Sequence, residues 1–428
     1  MSLSTRGRAA ADQPLRADLD AFFAAQEDLY HPTDNPDGKF TLTIAENGLL
    51  WPELQTKMED ILRREPTPEW TRSYTAITGA PDFRAAVAGF LERHVAGVPL
   101  DPERLAITAG AASVIEQTAW LAADAGAVAV LPGPAYMAYT PDLRNRARVD
   151  RYDLHPAATA DDPRRALLTT DYQLTVADLE RARADLGDRF RMLILTQPNN
   201  PTGQVYTHAQ LTAFADWCTE REIHLAVNEI YATSLLEETG ERFVSFLPLL
   251  EERRSPYLHW WYSFSKDFGI SGFRLGVYYS HNERLLQAWG NIGSTNMASN
   301  HSQWLLGEVL NDDAWVRDYL AENRRRLTAS FRTVTTVLDR HELAYAPAAG
   351  SLFVWCDLSR FLTAATDAAE QALWQRVFDE TGILLTAPAG QGSPVRGWFR
   401  LVYSCVSAAD LRAAMDRLDA WLGTQPPA

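Results

Sequence analysis

One lysine of the chain stands among residues that could make it reactive. Residues 262–276 read YSFSKDFGISGFRLG: Lys266 comes just after Ser263 and Ser265, and Arg274 follows eight residues later, beyond a glycine-rich turn. A lysine that forms an imine must lose its proton near neutral pH, which requires a desolvated or electropositive site. Hydroxyl donors and one planar cation are what an anchored phosphate requires. The stretch therefore predicts a reactive lysine beside a bound phosphate; the alternative is an exposed lysine in a turn, followed by a surface arginine.

The composition and charge indicate which kinds of partner to expect. The 428 residues carry a net charge of -15, which argues against nucleic acid, since such a partner requires a basic face. The three cysteines have no CxxC spacing, so the sequence predicts neither a metal site nor disulfides. No apolar run approaches the roughly 18 residues of a membrane span, and the N-terminal residues lack the apolar core of a secretory signal. We expect a soluble cytoplasmic protein without a membrane partner.

Short apolar runs alternate with stretches of helical periodicity between residues 105 and 280. This alternation predicts an α/β fold with a mostly parallel central sheet and helices on both faces. Ligands in such sheets bind beyond the carboxyl ends of the strands, and Lys266 and Asn200 each lie just past one predicted end. The predicted strands are 105–108, 127–132, 192–198, 224–231, 257–264 and 274–280.

The rest of the sequence predicts a second, smaller α+β domain. We expect residues 1–55 to form an N-terminal arm and part of the small domain, residues 56–310 the large domain, and residues 311–428 a bridging helix and the remainder of the small domain. Residues 156–170 are polar and poorly periodic, which predicts a surface excursion. The strands predicted outside the central sheet are 40–44, 343–346, 351–357, 383–387 and 398–404.

Eight short motifs carry a resemblance to a known family. They are AEN (45–47), TAGAAS (108–113), PGPAY (132–136), NNPTG (199–203), NEIY (228–231), YSFSKDFGISGFR (262–274), AAGSLFVW (348–355) and GWFR (397–400). In these motifs, over about residues 40 to 422, the chain resembles the fold-type I enzymes of the class I/II aminotransferase superfamily. Within that superfamily it is most similar to 1-aminocyclopropane-1-carboxylate (ACC) synthases. The resemblance implies pyridoxal 5'-phosphate (PLP) as the cofactor.

The resemblance assigns roles to the residues around Lys266. It implies that Lys266 is bonded to the cofactor as an imine and then moves the proton of the substrate's Cα, because the freed amine lies beside that atom. Ser263, Ser265 and Arg274 would hold the phosphate. Tyr74, in SYTAITG, resembles the tyrosine that reaches the phosphate of the neighbouring subunit. The resemblance thus implies a homodimer with shared active sites.

Further residues would surround the cofactor ring and complete the phosphate site. Tyr136 matches the aromatic residue that stacks on the pyridine ring. Asn200 and Tyr231 match the pair that hydrogen-bonds the phenolic oxygen, which places Tyr231 among the catalytic residues; otherwise NNPTG is a plain turn. Ala111 and Ala112 open a helix whose N–H groups favour an anion. The family often has Thr where Ala112 stands, so one hydroxyl contact is missing here.

Asn228 departs from the family pattern. The family has Asp-Glu-Ile-Tyr where this chain has NEIY, and that aspartate pairs with the pyridine nitrogen and keeps it protonated, which makes the ring an electron sink. The Asn228 amide could donate a hydrogen bond to a neutral nitrogen, or accept a weaker one from a protonated nitrogen. Our hypothesis is a weaker electron sink. The alternative is a conservative substitution without consequence.

Two residues point to the substrate. Arg400, in GWFR, matches the arginine that binds the α-carboxylate of an amino acid; otherwise it forms a salt bridge at the end of a strand. Glu46, in AEN, matches the glutamate that faces the sulfonium of S-adenosylmethionine in ACC synthases, and a carboxylate is a natural partner for a sulfonium. The alternative is that Glu46 caps the following helix or pairs with a surface arginine.

These residues together predict a PLP-dependent enzyme that acts on S-adenosylmethionine. Deprotonation at Cα and loss of methylthioadenosine from Cγ would give either ACC or a vinylglycine-type intermediate that a second, nucleophilic substrate captures. One alternative is an aminotransferase or an amino-acid oxidase-like PLP enzyme that acts on another α-amino acid. A further alternative is a non-catalytic protein that has kept the fold.

Overall fold

A computed structural model describes residues 2–12, 16, 18–170 and 172–425 of the chain. The strands are β1 (Phe40–Leu42), β2 (Leu105–Ala109), β3 (Val128–Pro132), β4 (Asp150–Leu154), β5 (Phe190–Thr196), β6 (His224–Asn228), β7 (Leu258–Ser263), β8 (Leu275–Ser280), β9 (Phe353–Asp357), β10 (Ile383–Leu385) and β11 (Trp398–Val402). Within the described residues, seven of them form one sheet in the order β2-β8-β7-β6-β5-β3-β4. In this sheet β8 runs in the direction opposite to the other six strands. The mostly parallel sheet predicted from the sequence is confirmed.

Side chains that alternate along the strands enter two different hydrophobic cores. In β5, Leu193 and Leu195 pack in one core, whereas Met192 and Ile194 pack in another. Successive side chains of a strand point to opposite faces of a sheet, so helices cover this sheet on both faces, as predicted. The helices are α1 (Thr5–Asp12), α2 (Leu19–Gln26), α3 (Trp51–Arg64), α4 (Pro81–Leu91), α5 (Ala111–Ala122), α6 (Tyr139–Arg144), α7 (Pro163–Leu167), α8 (Val176–Leu186), α9 (His208–Glu220), α10 (Leu247–Arg253), α11 (Phe264–Asp267), α12 (Glu283–Ile292), α13 (Asn300–Asn311), α14 (Asp313–Arg340), α15 (Asp367–Thr381) and α16 (Ala408–Thr424). Across the described part of the chain, none of these helices is long and apolar enough to span a membrane.

One edge of the central sheet gathers the ends of several strands. Thr196, the last residue of β5, lies opposite Asn228, the last residue of β6. The end of β7 lies opposite the start of β8, because β8 runs the other way. The end of β2 also lies opposite the start of β8. Residues that follow β2, β5, β6 and β7, and those that precede β8, therefore meet at this edge.

A third hydrophobic core lies outside the central sheet. It surrounds two small sheets, in which β9 pairs with β11 and β1 pairs in parallel with β10. The long helix α14 connects this core with the central one: Val316 packs in the core of the central sheet and Val334 in the outer core. This helix lies where the sequence predicts a bridging helix. The domain boundaries after residues 55 and 310 stay predictions.

Two regions differ from the sequence-based expectations. Residues 156–170 are not simply a surface excursion, because Leu167 at the end of α7 is fully buried beside Trp355 and Trp398. The helix begins where the Asp162 side chain accepts a hydrogen bond from the Arg165 N–H, with a proline at its first turn. The segment 343–346 is not a strand; there, the structure has a single β-bridge, from Tyr345 to Cys356.

Candidate active site

A cavity of about 230 Å³ opens at the edge of the central sheet where the strand ends meet. It is lined by most of the site residues that the sequence predicts, although they come from distant parts of the chain. These residues are Glu46, Ala111, Ala112, Tyr136, Asn200, Asn228, Tyr231, Ser265, Lys266, Arg274 and Arg400. Two predicted residues, Ser263 and Tyr74, do not line the cavity.

Lys266 lies in the wall of this cavity on the short helix α11. Its Nζ donates a hydrogen bond to the carbonyl oxygen of Ala45 at 2.6 Å. Burial lowers the pKa of Lys266 from 10.5 to about 8; the Glu46 carboxylate opposes this shift, and the charge of Arg400 adds to it. The amine is therefore close to losing its proton near neutral pH, as a nucleophilic lysine requires.

We expect the PLP-free chain to take up PLP faster as the pH rises, with a midpoint near 8. The lowered pKa means that the free amine of Lys266 becomes its main form above about pH 8 rather than above 10.5. Absorbance of bound PLP after rapid mixing, from about pH 6 to about pH 10, measures this rate. Glu46→Gln removes the charge that opposes the shift, so its midpoint should lie lower. A wild-type midpoint near 10.5 would contradict this account.

Another part of the cavity wall, formed by Arg274 and the start of α5, is suited to bind an anion. The Nη1 of Arg274 donates to the carbonyl oxygen of Ser271 at 2.9 Å, and its Nη2 donates to that of Ala109 at 3.2 Å. No acidic side chain of the described residues forms an ion pair with Arg274. Helix α5 begins beside it, directly after Gly110, and its first N–H groups have no partner within the helix. An unpaired guanidinium at a helix N-terminus fits the phosphate of PLP.

Gly110 allows the start of α5 and the Arg274 guanidinium to lie in close contact. Its φ is 88°, and a Cβ at this position would lie 2.2 Å from Arg274 Nη2. We expect Gly110→Ala to displace the guanidinium and to weaken PLP binding at least about tenfold, as loss of one charge-assisted hydrogen bond does. Gly126→Ala is the matched control, because Gly126 also has a φ of 88° but has no atom within 4 Å of its Cβ position. Equilibrium dialysis with PLP measures both variants; equal affinities would contradict this role of Gly110.

The two serines before Lys266 have different surroundings. Ser265 lines the cavity, whereas Ser263 is fully buried behind it. The Ser263 hydroxyl donates to the carbonyl oxygen of Leu275 at 2.8 Å and lies 2.8 Å from that of Ser265. The direct phosphate contact expected of Ser263 therefore does not match its position. Its contacts instead fix the orientation of Ser265.

The Asn228 side chain has a defined orientation at the end of β6. Its Oδ1 accepts a hydrogen bond from the backbone N–H of Ile230 at 3.2 Å. Its Nδ2 donates to the Tyr139 hydroxyl at 2.8 Å, and this hydroxyl lies 2.7 Å from that of Thr196. These contacts leave one N–H of Nδ2 and one lone pair of Oδ1 for a ligand in the cavity, and neither group carries a charge.

Tyr136 and Tyr231 form aromatic walls of the cavity. The Tyr136 ring lies edge-to-face with that of Tyr139, with 5.8 Å between the ring centroids. Tyr231 packs edge-to-face on Phe353 at 5.6 Å. Burial raises the pKa of both hydroxyls, with the charge of Arg400 opposing the shift at each, so both stay protonated and can donate hydrogen bonds.

Arg400 is a buried cation whose partners in the structure are neutral. It is 3% exposed, and its Nε donates to the Thr386 hydroxyl at 3.0 Å. Its Nη1 donates to Asn200 Oδ1 at 2.8 Å and its Nη2 to the Thr43 carbonyl oxygen at 2.9 Å. The salt bridge considered as an alternative is not formed within the described residues. A buried charge without a counter-ion is costly, so this arginine is suited to bind an anionic ligand.

Glu46 lines the cavity with an exposed side chain. Helix α3, which follows it, has Leu50 at its N-cap and no side-chain cap. Within the described residues, Glu46 also forms no ion pair with an arginine. Neither structural alternative considered for Glu46 is therefore formed in the part of the chain that the structure describes.

Tyr74 lies on an exposed loop outside the cavity. Its side chain is 97% exposed, which is unusual for a large aromatic residue. A contact between Tyr74 and the cavity of its own chain is therefore ruled out. A role in the cavity of a second copy of the chain stays a prediction.

Some residues that line the cavity were not singled out from the sequence. Arg16, Tyr139, Asp142 and Thr196 belong to no predicted site. Burial raises the pKa of Asp142 to about 7; the charge of Glu116 raises it further, and that of Arg274 opposes the shift. Tyr139 could have been found from its position three residues after Tyr136, whereas Arg16 and Asp142 carry no local signal.

A buried carboxylate holds the loops that carry several of these residues. Glu229, which directly follows Asn228, is fully buried and accepts hydrogen bonds from the side chains of Gln197, Ser245 and Trp260. It also accepts one from the backbone N–H of Phe246 at 2.6 Å. Four donors compensate for burial of the charge and tie the turn after β5 to that after β6.

Comparison with known proteins settles the family. A family model described as aminotransferase class I and II matches residues 46–418, which is most of the chain. The chain belongs to the class I and II aminotransferase family. Members of this family depend on PLP, and the cavity fits PLP through Lys266, Arg274 and the start of α5. This class I and II aminotransferase family member is therefore a PLP-dependent enzyme.

Several known proteins are similar to this family member over nearly its whole length. An ACC synthase of Glycine max is 31% identical over 420 residues, covering 94% of this chain and 84% of the relative. The ACC synthase CMW33 of Cucurbita maxima is 28% identical over 422 residues, covering 94% and 82%. The fold is similar to that of a Thermus thermophilus aspartate aminotransferase, with a TM-score of 0.78, 21% identity, and coverage of 98% of this chain and 99% of the other.

Proposed function

We propose that this enzyme acts on S-adenosylmethionine and releases methylthioadenosine from it. The observation that carries the proposal is that the Glu46 carboxylate lines the same cavity as Lys266 and Arg400 and forms no ion pair with any residue that the structure describes. A sulfonium has a charge but no N–H to donate, so an exposed carboxylate is a suitable partner. The similarity to ACC synthases supports the same substrate.

Each of these three side chains would bind or move one part of the substrate. The planar guanidinium of Arg400 binds the α-carboxylate in a bidentate manner. The Lys266 amine removes the proton from Cα. Glu46 holds the sulfonium, and when the C–S bond at Cγ breaks, the electron pair leaves with sulfur as neutral methylthioadenosine. Bound PLP supplies the electron sink for the negative charge left at Cα.

The remaining fragment of the substrate has two possible fates. In one, the electron pair at Cα displaces sulfur from Cγ and closes the ring of ACC. In the other, loss of a Cβ proton expels sulfur and leaves a Cβ=Cγ double bond; a second, nucleophilic substrate then adds at Cγ, and a proton returns to Cβ. Capture would suit the departures from the family pattern at Asn228, Ala112 and Tyr74, and analysis of the product distinguishes the two fates. The rival function is transamination of another α-amino acid, in which Arg400 has the same role but Glu46 has none.

Product analysis distinguishes the proposed function from its rival. We expect incubation with S-adenosylmethionine to give methylthioadenosine, detected by mass spectrometry, and no keto acid from common amino acids. Keto acid formation together with intact S-adenosylmethionine would overturn the proposal in favour of transamination. A second incubation with cell extract as a source of nucleophiles distinguishes ACC from a captured product.

The orientation of Asn228 leads to a prediction about the cofactor's electronic state. We propose that Asn228 leaves the pyridine nitrogen unprotonated, because the neutral amide, held in place by Ile230 and Tyr139, offers no negative charge to stabilise a proton there. Asn228→Asp should favour the protonated nitrogen and a stronger electron sink. Adding substrate to this variant should therefore produce more long-wavelength absorbance than in the wild-type chain.

The exposed Asn145→Asp is the matched control for the added charge, since Asn145 lies outside the cavity. We expect its spectrum to equal that of the wild-type chain. Unchanged spectra in Asn228→Asp as well would show that the substitution at this position has no electronic consequence.

A further inference from the structure

An arginine of the N-terminal segment lies near Arg400 in the wall of the cavity. Arg16 lines the cavity, although it precedes α2 and lies far from the predicted motifs. Its side chain is only 8% exposed. Its Nε donates to Asp18 Oδ1 at 2.9 Å and its Nη2 to Asp18 Oδ2 at 2.5 Å.

The contacts of Asp18 show that it serves this arginine rather than its own helix. Asp18 precedes α2 as its N-cap residue, a position where Asp normally accepts a hydrogen bond from the first turn. Here the side chain makes no cap hydrogen bond. The carboxylate is fully buried and binds Arg16 and the hydroxyl of Thr43 instead. Asp18 therefore orients the guanidinium of Arg16 and leaves the start of α2 without its usual side-chain cap.

Arg16 and Arg400 share one anchoring residue. The Nη2 of Arg16 donates to the Thr43 hydroxyl at 3.3 Å, and the Nη2 of Arg400 donates to the carbonyl oxygen of the same residue at 2.9 Å. The charge of Arg16 also acts on Tyr136, since it opposes the rise that burial causes in the pKa of this residue. Two guanidinium groups therefore lie at the same end of the cavity.

We infer that Arg16 is a second arginine that binds the substrate's carboxylate, and that Asp18 and Thr43 position it. Its Nη1 has no hydrogen-bond partner among the described residues and remains to donate to a ligand in the cavity. The carboxylate would then bind Arg400 on one side and Arg16 on the other. This inference rests on the part of the proposed function that assigns the carboxylate to Arg400, and it does not depend on the sulfonium.

A pair of ligands that differ only in the carboxylate tests the inference. 2-Aminoisobutyrate has no hydrogen on Cα, so it binds to the PLP-loaded enzyme without Cα deprotonation, and the change in cofactor absorbance gives its dissociation constant. 2-Amino-2-methylpropanol has a neutral hydroxymethyl group in place of the carboxylate. We expect Arg16→Gln to weaken binding of 2-aminoisobutyrate about tenfold to a hundredfold, and to change binding of the amino alcohol by less than about twofold.

Two further variants separate direct binding from a structural effect. Arg6→Gln removes an exposed arginine of α1 and should match the wild-type chain. Arg16→Gln/Asp18→Asn removes both members of the ion pair, so no unpaired charge stays buried, and it should bind as weakly as Arg16→Gln. Recovery of wild-type affinity in this double variant, or equal weakening of both ligands in Arg16→Gln, would overturn the inference.

The outcome for the wild-type chain distinguishes this inference from the proposed function. If the wild-type chain does not prefer 2-aminoisobutyrate over the amino alcohol, the carboxylate role of Arg400 and that of Arg16 fail together. If it does, but S-adenosylmethionine yields no methylthioadenosine, the proposed substrate is wrong and the carboxylate site of Arg16 still stands.

Discussion

Lys266→Ala should lower turnover of any amino-acid substrate by roughly a thousandfold or more, the effect of losing a general acid–base group that also binds the cofactor. This lysine lines the cavity, and its pKa is lowered to about 8, so its free amine is available near neutral pH. The chain has only two others, Lys39 and Lys57, and neither lines the cavity. Steady-state rates measure the loss.

Chemical trapping gives this prediction a readout besides turnover. Borohydride reduction fixes PLP on the lysine to which it is bonded, and peptide mapping by mass spectrometry then identifies that lysine. We expect the label on Lys266 alone. Lys57→Ala is the matched control, because Lys57 lies in an ion pair with Asp312 outside the cavity. Label on Lys39 or Lys57 in the wild-type chain would contradict the assignment.

The same variant tests the proposed sharing of active sites between two subunits. In a mixed dimer of Lys266→Ala and Tyr74→Ala chains, one site would keep both residues and the other would lose both. We expect each parent homodimer to be inactive, because both of its sites lack one of the two residues. Random reassociation of the two chains should then restore about a quarter of the wild-type sites. Mixed chains that stay inactive would show that Tyr74, exposed as it is, does not serve a partner's cavity.

Arg400→Lys should lower kcat/KM for amino-acid substrates by about a hundredfold, mainly through KM, while the charge at this position is kept. A lysine ammonium cannot form the planar bidentate contact that a guanidinium forms with a carboxylate. It also cannot satisfy Thr386, Asn200 and Thr43 together, which all accept hydrogen bonds from Arg400. Loss of about 3 kcal/mol of charge-assisted hydrogen bonding corresponds to this factor.

Arg84→Lys is the matched control for the substitution at Arg400. Arg84 is also buried, at 6% exposure, but it binds Glu103 and the carbonyl oxygen of Pro102, outside the cavity. We expect its KM to stay near the wild-type value. A KM for Arg400→Lys that also stays near wild type would show that the substrate's carboxylate binds elsewhere.

The sequence predicted the site best where its residues lie in compact motifs at strand ends. The Lys266 stretch, Asn228 and Tyr231 follow apolar strands, and the parallel order of those strands brings their ends to one edge. Arg400 and Glu46 were predicted from the family resemblance. The structure adds that Arg400 has only neutral partners and that Glu46 has no ion-pair partner among the described residues.

The features that the sequence did not reveal depend on contacts between distant segments. Strand β4, with the sequence DRYDL, was not predicted, because three of its five residues are charged. It lies at the edge of the sheet, where charged side chains are tolerated. Arg16 enters the cavity only because Asp18 and Thr43 fix its side chain there. The motif predicts Ser263 as a phosphate ligand, but the Ser263 hydroxyl donates to the Leu275 carbonyl oxygen.

The most direct test of the central claim is mass spectrometry of the products from S-adenosylmethionine labelled with deuterium at Cα. The wild-type enzyme should release methylthioadenosine, and Lys266→Ala should release none. Glu46→Gln should slow this release without affecting the binding of 2-aminoisobutyrate, which has no sulfonium. The label should be removed from Cα by Lys266 before or as the C–S bond breaks. Methylthioadenosine release that is equal in the wild-type and Lys266→Ala chains, or intact labelled substrate beside keto acids from other amino acids, would contradict the account.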